Sequence, residues 1–275
     1  MKISASIVLY KNEPEKVYSV LNCLGGSGLE MKTYILDNSP RSAGLDLSPF
    51  HNLHYVKLTK NVGFGPAHNL AIKKSLDSGC RYHLVINPDI FFPRGVLEKL
   101  HKYMEANPDV GNIMPKVCYP DGRNQYLAKL LPTPGNLAVR LFHRFLPQTL
   151  IRRVNGRYEL HDLPLDQPIE VPSLSGCFMF LRCNALRKVG LFDERFFLYF
   201  EDYDLVRRIS RHFKTVYYPG IQINHDFERA SRKNLSALFV HLASAVKYFN
   251  KWGWYRDDYR ELSNAKVISG LDLMD

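Results

Sequence analysis

The strongest constraint on this chain is the alternation of strand-like and helix-like segments through its first 110 residues. Residues 2–10, K-I-S-A-S-I-V-L-Y, are short, apolar and rich in β-branched side chains, the composition of a buried strand. Residues 14–24 place Val17, Val20, Leu21 and Leu24 on one helical face, and Gly25, Gly26 and Gly28 stop the helix. Further strands are expected at 33–36, 53–58 and 82–86, and further helices at 67–78 and 96–107. This order predicts an α/β fold with a mainly parallel, doubly wound sheet flanked by helices. Ligands of such sheets bind at the carboxyl ends of the strands. The polar turns fall there: Tyr10-Lys11-Asn12, Asp37-Asn38-Ser39, Asn61-Val62-Gly63-Phe64-Gly65 and Asn87-Pro88-Asp89.

Residues 111–170 are irregular and rich in Pro and Gly. Within them, 137–154 mixes Leu, Phe and Ile with Arg140, His143, Arg144, Arg152 and Arg153. Such a basic amphipathic segment suits an anionic membrane surface or packing on its own domain. Strand character returns at 171–182, a short helix is expected at 184–189, and a late strand at 214–218 ends in Pro219-Gly220 before 221–225. A helix is expected at 234–250, and 247–259 is aromatic and charged, with both tryptophans, Trp252 and Trp254. The formal net charge of +10 over 275 residues implies an anionic partner. The Lys and Arg residues are spread along the chain, which disfavours a nucleic-acid-binding protein. Five cysteines without a CxxC pair fit a reducing cytoplasm. The first apolar run ends at Glu13-Pro14, too early for a signal peptide, and no window approaches the ~18 apolar residues of a membrane span.

Residues 196–208 read F-F-L-Y-F-E-D-Y-D-L-V-R-R. Glu201, Asp202 and Asp204 fit an acidic helix start, which the helix dipole favours. They equally fit partly buried carboxylates with raised pKa, one serving as general base, with the preceding aromatics as the wall that keeps it dry. Asn87-Pro88-Asp89 is a turn, or part of a site for a hard divalent cation that bridges phosphates. His225, just after the late strand, is structural or a metal ligand. The 61–69 loop, N-V-G-F-G-P-A-H-N, is a tight turn or a close approach of backbone to an anionic ligand. It is neither G-x-G-x-x-G nor a P-loop. With no G-x-S-x-G, H-E-x-x-H or paired CxxC, serine hydrolase, zincin and zinc-finger readings have no support.

Together and in order over residues 3–226, these pieces resemble the family 2 glycosyltransferases with the GT-A fold. The carrying motifs are S-I-V-L-Y at 6–10, I-L-D-N-S at 35–39, N-V-G-F-G with Asn69, V-I-N-P-D at 85–89, S-G-C-F-M-F-L-R at 175–182 and G-L-F-D-E-R-F-F-L-Y-F-E-D-Y-D-L at 190–205. The Asn-Pro-Asp turn stands where that family has Asp-x-Asp, and with the glycine loop it is similar to the rhamnosyltransferase-like subgroup of bacterial O-antigen, capsule and cell-wall biosynthesis. The resemblance implies an inverting, Mg- or Mn-dependent transfer from a nucleotide-sugar, dTDP-L-rhamnose or a UDP-sugar, to a glycan or lipid-diphosphate-linked acceptor. It implies Asp202 as base and Glu201 as its neighbour, with Asp204 structural. Asp89 and His225 would hold the metal. Tyr10, Asp37, Asn38, Asn61, Gly63, Gly65, Asn69 and Asn87 would line the nucleotide-sugar site. The expected organisation is a GT-A domain over 1–230, with a donor half (1–110) and an acceptor half (111–230), and a helical, aromatic-basic extension over 231–275. The expected location is cytoplasmic, with peripheral contact at the inner face of the membrane. A nucleotidyltransferase would want a glycine- and arginine-rich loop near the N-terminus, and residues 4–12 contain none.

Overall fold

The computed structural model describes residues 2–42, 44–142, 145–164, 166–227 and 235–272. His143 and Arg144 of the basic segment and Asn234 at the expected start of the late helix lie outside the described residues, as does the side chain of Arg140.

The first half follows the periodicity of the sequence. It runs β1 (Ile3–Leu9), α1 (Pro14–Gly25), β2 (Met31–Asp37), β3 (Leu53–Lys57), α2 (Phe64–Asp77), β4 (Tyr82–Ile86), β5 (Ile90–Phe91) and α3 (Val96–Ala106). Helix α1 begins with Pro14, whose missing N–H costs nothing in the first turn. It buries Val17, Val20, Leu21 and Leu24, each contributing about 1.5–3 kcal/mol of apolar burial. Strands β3, β2, β1 and β4 pair in parallel, so their carboxyl ends share one edge of the sheet.

The second half continues the same sheet. It adds β6 (Val110–Cys118), β7 (Ala128–Lys129), α4 (Pro134–Leu141), α5 (Gln148–Tyr158), β8 (Ile169–Glu170), β9 (Ser173–Leu174), β10 (Phe178–Arg182), α6 (Cys183–Val189), α7 (Glu201–Ser210), β11 (Lys214–His225), α8 (Leu235–Trp252) and α9 (Asp258–Asp272). Strand β10 is antiparallel to both β4 and β6, and β6 runs parallel to β11. The path across the sheet is β3-β2-β1-β4-β10-β6-β11-β5, with β8 on β11, while β7 and β9 form a small second ribbon. The two direction reversals at β10 point β11 the same way as β4. The end of β11, at His225, therefore returns to the edge that carries the first-half turns.

Four expectations change. The irregular 111–170 region contains β6, buried on both faces and so without alternation. The 171–182 strand is interrupted by Ser175-Gly176-Cys177 between β9 and β10. Pro219-Gly220 does not end a strand; β11 continues through a register shift between Tyr218 and Gln222. The single amphipathic segment at 137–154 is two helices, since α4 stops at Leu141 and Pro147 caps α5.

Candidate active site

The strand-end turns are tied to one another by their own polar groups. Asp37, buried at the end of β2, accepts from Ser39 N (2.8 Å) and Tyr55 Oη (2.6 Å). Burial pushes its pKa up, but these bonds and Lys57 outweigh it and hold it below the usual carboxylate range. Asn38 donates to Gly63 O (3.0 Å) and accepts from Val62 N (3.1 Å), strapping this turn to the glycine loop. Asn61 accepts from Gly63 N (3.0 Å). Tyr10 stands about half exposed at the end of β1, with its N–H on Asn12 Oδ1 (2.8 Å).

The glycine loop meets the stretch before α7. Gly63 has φ +97°, and Phe64 N donates to Phe197 O (2.9 Å). A Cβ at Gly65 would lie 2.9 Å from Phe192 Cβ and 3.6 Å from Glu201 Cβ. Asn69, buried in α2, donates to Phe192 O (2.9 Å) and accepts from Phe192 N (3.0 Å). The side-chain polar groups of Asn38 and Asn69 thus bond within the protein, Gly63 permits contact with the Phe197 backbone, and Gly65 leaves room for the Phe192 and Glu201 side chains.

Asp202 opens α7. Its Oδ2 accepts from Gly176 N (2.9 Å) and its Oδ1 from Tyr203 N (2.8 Å). A side chain at Gly176 would crowd Asp202 and Phe64, with a Cβ 3.2 Å from Asp202 Cβ. Burial raises the pKa of Asp202, while the Gly176 and Tyr203 N–H groups and the charge of Lys129 pull it back. Glu201 is buried, with Oε2 lacking a hydrogen-bond partner among the described residues. Burial, then the charge of Asp202, raises its pKa well above normal. Such a pair favours one proton shared across two carboxyls. Asp204 is structural: fully buried, it accepts from Arg208 Nε (2.9 Å) and Trp252 Nε1 (2.9 Å).

Tyr199 and Phe200 both sit at φ +67°, a left-handed pair of non-glycine residues immediately before the acidic pair. Such residues cost on the order of 1–3 kcal/mol each and persist only where surroundings hold them. The expected aromatic wall is redistributed accordingly. Phe196 and Phe200 sink into a separate cluster with Ala245, Tyr248 and Phe249, while Phe197 is exposed. Phe64, from the glycine loop, and Asp202 both border the space that a Cβ at Gly176 would fill.

Asp89 and His225 meet at the same edge, with His225 Nε2 3.2 Å from Asp89 Oδ1. The pair lacks hydrogen-bond geometry, so buried Asp89 Oδ1 has no hydrogen-bond partner among the described residues. Asn87 Nδ2 lies 3.5 Å from Nε2. Gln125 Oε1 accepts from His225 Nδ1 (3.0 Å), and Gln125 Nε2 donates to His225 O (2.8 Å). This fixes the ring and leaves Nε2 of the neutral tautomer with a lone pair. An oxygen without a hydrogen bond and an oriented imidazole nitrogen form a donor set that suits a divalent cation completed by substrate phosphates. No cluster of three or more His, Cys, Asp or Glu residues suited to a metal occurs among the described residues.

The two parts adjoin. Asn87 N donates to Cys177 O (2.9 Å), one residue beyond the amide that holds Asp202. Burial pushes the Cys177 thiol up to about 12, with Asp89 and Asp202 both adding to the rise, so the cysteine lies within electrostatic reach of both carboxylates. Sequence reasoning missed Gln125, Lys129 and Tyr55. The first two lie in the Pro/Gly-rich stretch, and no motif marks them. A cavity of about 510 Å³, lined by residues such as Ser19, Cys23 and Arg94, includes none of these groups.

The fold is that of the GT-A glycosyltransferases. TarS from S. aureus superposes on 98% of this chain with a TM-score of 0.60 at 14% identity, the chain spanning 43% of that structure. A Pyrobaculum calidifontis mannosyltransferase, in complex with GDP-Man and Mn2+, superposes on 99% of the chain with a TM-score of 0.56 at 15% identity, over 73% of its own length. The chain belongs to glycosyl transferase family 2, whose profile matches residues 7–190. A Mycobacterium tuberculosis N-acetylglucosaminyl-diphospho-decaprenol L-rhamnosyltransferase is 27% identical over 82% of this chain and 75% of its own length. The low-salt glycan biosynthesis hexosyltransferase Agl10 of Haloferax volcanii is 24% identical over 76% of the chain and 62% of its own length.

Proposed function

We propose that this family 2 glycosyltransferase transfers a sugar with inversion from a nucleotide-sugar, dTDP-L-rhamnose or a UDP-sugar, to a lipid-diphosphate-linked glycan acceptor in cell-surface polysaccharide biosynthesis. The observation that carries the reading is the proximity of a buried base candidate and a cation-suited donor pair around Cys177. Asp202 removes the proton from an acceptor hydroxyl. The freed oxygen attacks the anomeric carbon as the bond to the nucleoside diphosphate breaks, which inverts that carbon. Glu201 keeps the shared proton away from Asp202 in the reactive state. Asp89 and His225 would hold Mg or Mn, which when bound neutralises the leaving diphosphate. Tyr10 offers a ring face to the base. Asp37, Asn38, Asn61, Gly63, Gly65, Asn69 and Asn87 shape the donor side, Asn38 and Asn69 through the loop geometry they fix.

Residues 1–110 serve as donor half, 111–230 as acceptor half and 231–275 as extension. The mycobacterial relative's name and the likeness to the rhamnosyltransferase-like subgroup support the donor and acceptor classes. The protein works at the cytoplasmic face of the membrane. No helix among the described residues is long and apolar enough to cross a membrane. Exposed Phe142, Phe145 and Leu150 beside exposed Arg152 and Arg153 suit peripheral contact with anionic lipid.

A thermal-shift screen of nucleoside diphosphates and nucleotide-sugars with and without Mn tests the donor class. Selective stabilisation by dTDP- or UDP-sugars is expected, and no response to any of them sinks the reading. Asp202→Asn should abolish transfer while sparing donor binding; retained turnover removes Asp202 as base. Flotation with anionic vesicles should show salt-sensitive binding, and its absence removes the membrane contact.

A further inference from the structure

We propose that the C-terminal helix α8 is the positioning element of the base, acting through Ser244, Tyr248 and Phe249 on the left-handed pair Tyr199–Phe200. The inference rests on the reading of Asp202 as base. Helix α7 has no side-chain cap at its Phe200 N-cap, so no capping bond fixes the entry angle. Nor is there a glycine at 199 or 200 to make φ +67° easy. The conformation is held from outside. The Phe200 ring is packed by His241 (centroids 5.2 Å apart), Tyr248 (5.4 Å) and Phe249 (6.4 Å), all from α8. Ser244 Oγ donates to Leu198 O (2.8 Å) and Lys247 Nζ to Arg195 O (2.7 Å), so the backbone leading into the turn is pinned by the same helix.

The rest of α7 is fixed by the end of α8 and the segment after it. Asp204 takes the Trp252 indole N–H (2.9 Å) and Lys251 Nζ (2.5 Å). Arg207 makes a buried two-pronged pair with Asp257 (2.6 and 2.5 Å), and its guanidinium lies 4.2 Å from the Trp252 ring centre. The α8 contacts on the turn lie beyond residue 190, where the family profile ends, and act alongside the bond from Phe64 N to Phe197 O. Rotation at Phe200 swings the first turn of α7 and with it the carboxylate that meets Gly176 N at 2.9 Å. Misplacement of a catalytic group by about 1 Å lowers rates by about 100-fold. The extension therefore acts on the chemical step and leaves the donor loops, at the far side of Gly63, in place.

The test compares Ser244→Ala and Phe249→Leu with the unmodified full-length protein, using the donor found by thermal shift. Each variant should lower kcat by about 10-fold or more. Donor KM, and the Kd of UDP or dTDP by titration calorimetry, should stay within about twofold, a split that a merely structural role does not produce. Ser244→Ala removes one hydrogen bond and leaves the core intact, so it decides the matter even where Phe249→Leu folds poorly. Wild-type kcat in folded Ser244→Ala overturns the proposal, as does an equal loss of turnover and nucleotide affinity. Asp202→Asn run alongside separates the layers. If it is inactive while the α8 variants are fully active, this inference alone falls; if it is active, the base assignment beneath it falls.

Discussion

Gly63→Ala probes the contact that joins the glycine loop to the segment leading into Glu201 and Asp202. Gly63 has φ +97° and ψ 177°, a region essentially reserved for glycine, where another residue costs on the order of 1–3 kcal/mol. The new Cβ would lie 2.3 Å from Phe197 O and 3.0 Å from Phe197 Cα. These are backbone atoms, so no rotamer change relieves the clash. Pushing Phe197 away also breaks its acceptance from Phe64 N at 2.9 Å, a bond worth about 1 kcal/mol. The expected destabilisation is about 2–4 kcal/mol, a large part of the ~5–15 kcal/mol that holds a typical domain. Gly122→Ala supplies the control: φ is +85°, yet nothing lies within 4 Å of the new Cβ. It should cost only the backbone strain, about 1–2 kcal/mol. Urea unfolding with linear extrapolation measures both. Because Phe197 leads into Tyr199, Phe200 and Asp202, Gly63→Ala should also lower kcat while Gly122→Ala does not. Equal destabilisation of the two variants, or a Gly63→Ala protein with normal kcat, refutes the reasoning.

Three further outcomes follow from the electrostatics and the metal-suited pair. Lys129→Met removes a charge that lowers the pKa of Asp202, so the acidic limb of the kcat–pH profile should move to higher pH; an unmoved limb disproves the coupling. Glu201 has a raised folded-state pKa, so its cost is absent below the unfolded carboxylate pKa of about 4.3, grows as pH rises from there to the folded value, and is constant above it. Glu201→Gln should therefore raise the melting temperature at pH 8 by more than at pH 4, and the reverse order would show that Glu201 is stabilised as a charge. Gln125→Ala frees the His225 ring and should weaken Mn2+ activation by about 10–100-fold with the fold intact, whereas unchanged Mn2+ dependence removes His225 from the metal site.

The first half was legible because its strands and helices obey their periods: Val17, Val20, Leu21 and Leu24 are buried together. Strand β6 was not. It carries Gly111, Asn112 and Pro115 and is buried on both faces, so neither alternation nor composition marks it. Pro219-Gly220 reads as a stop by local chemistry, but pairing with β6 on both sides carries β11 through it. At the site, the acidic and amide residues stand out because they punctuate strand ends. Gln125 does not, since its meaning arises only when the fold brings it to His225, one hundred positions away. The aromatic run before Glu201 was visible, but not which way its rings go, because the left-handed turn at Tyr199–Phe200 has no glycine to announce it.

Two hydrogen-bonded routes connect the donor-side strand ends to Asp202. One runs from Asn38 to the 62–63 loop, through Phe64 N to Phe197 O, and on into the left-handed turn. The other runs from Asn87 N to Cys177 O and from Gly176 N to the Asp202 carboxylate. Asn69 braces the first route at Phe192. Asp202 on the second half and Asp89 on the first can keep a fixed separation only if both routes have fixed length. That requirement accounts for a glycine where backbones touch, at 63, for glycines packed against side chains, at 65 and 176, and for amides that donate and accept at once, at 38 and 69. The same residue types serve for gripping a phosphate or a sugar, which is why sequence pattern alone left turn and ligand contact as open alternatives. In this chain the side-chain bonds of Asn38 and Asn69 fall on protein atoms, so what these residues fix is the geometry of the loop.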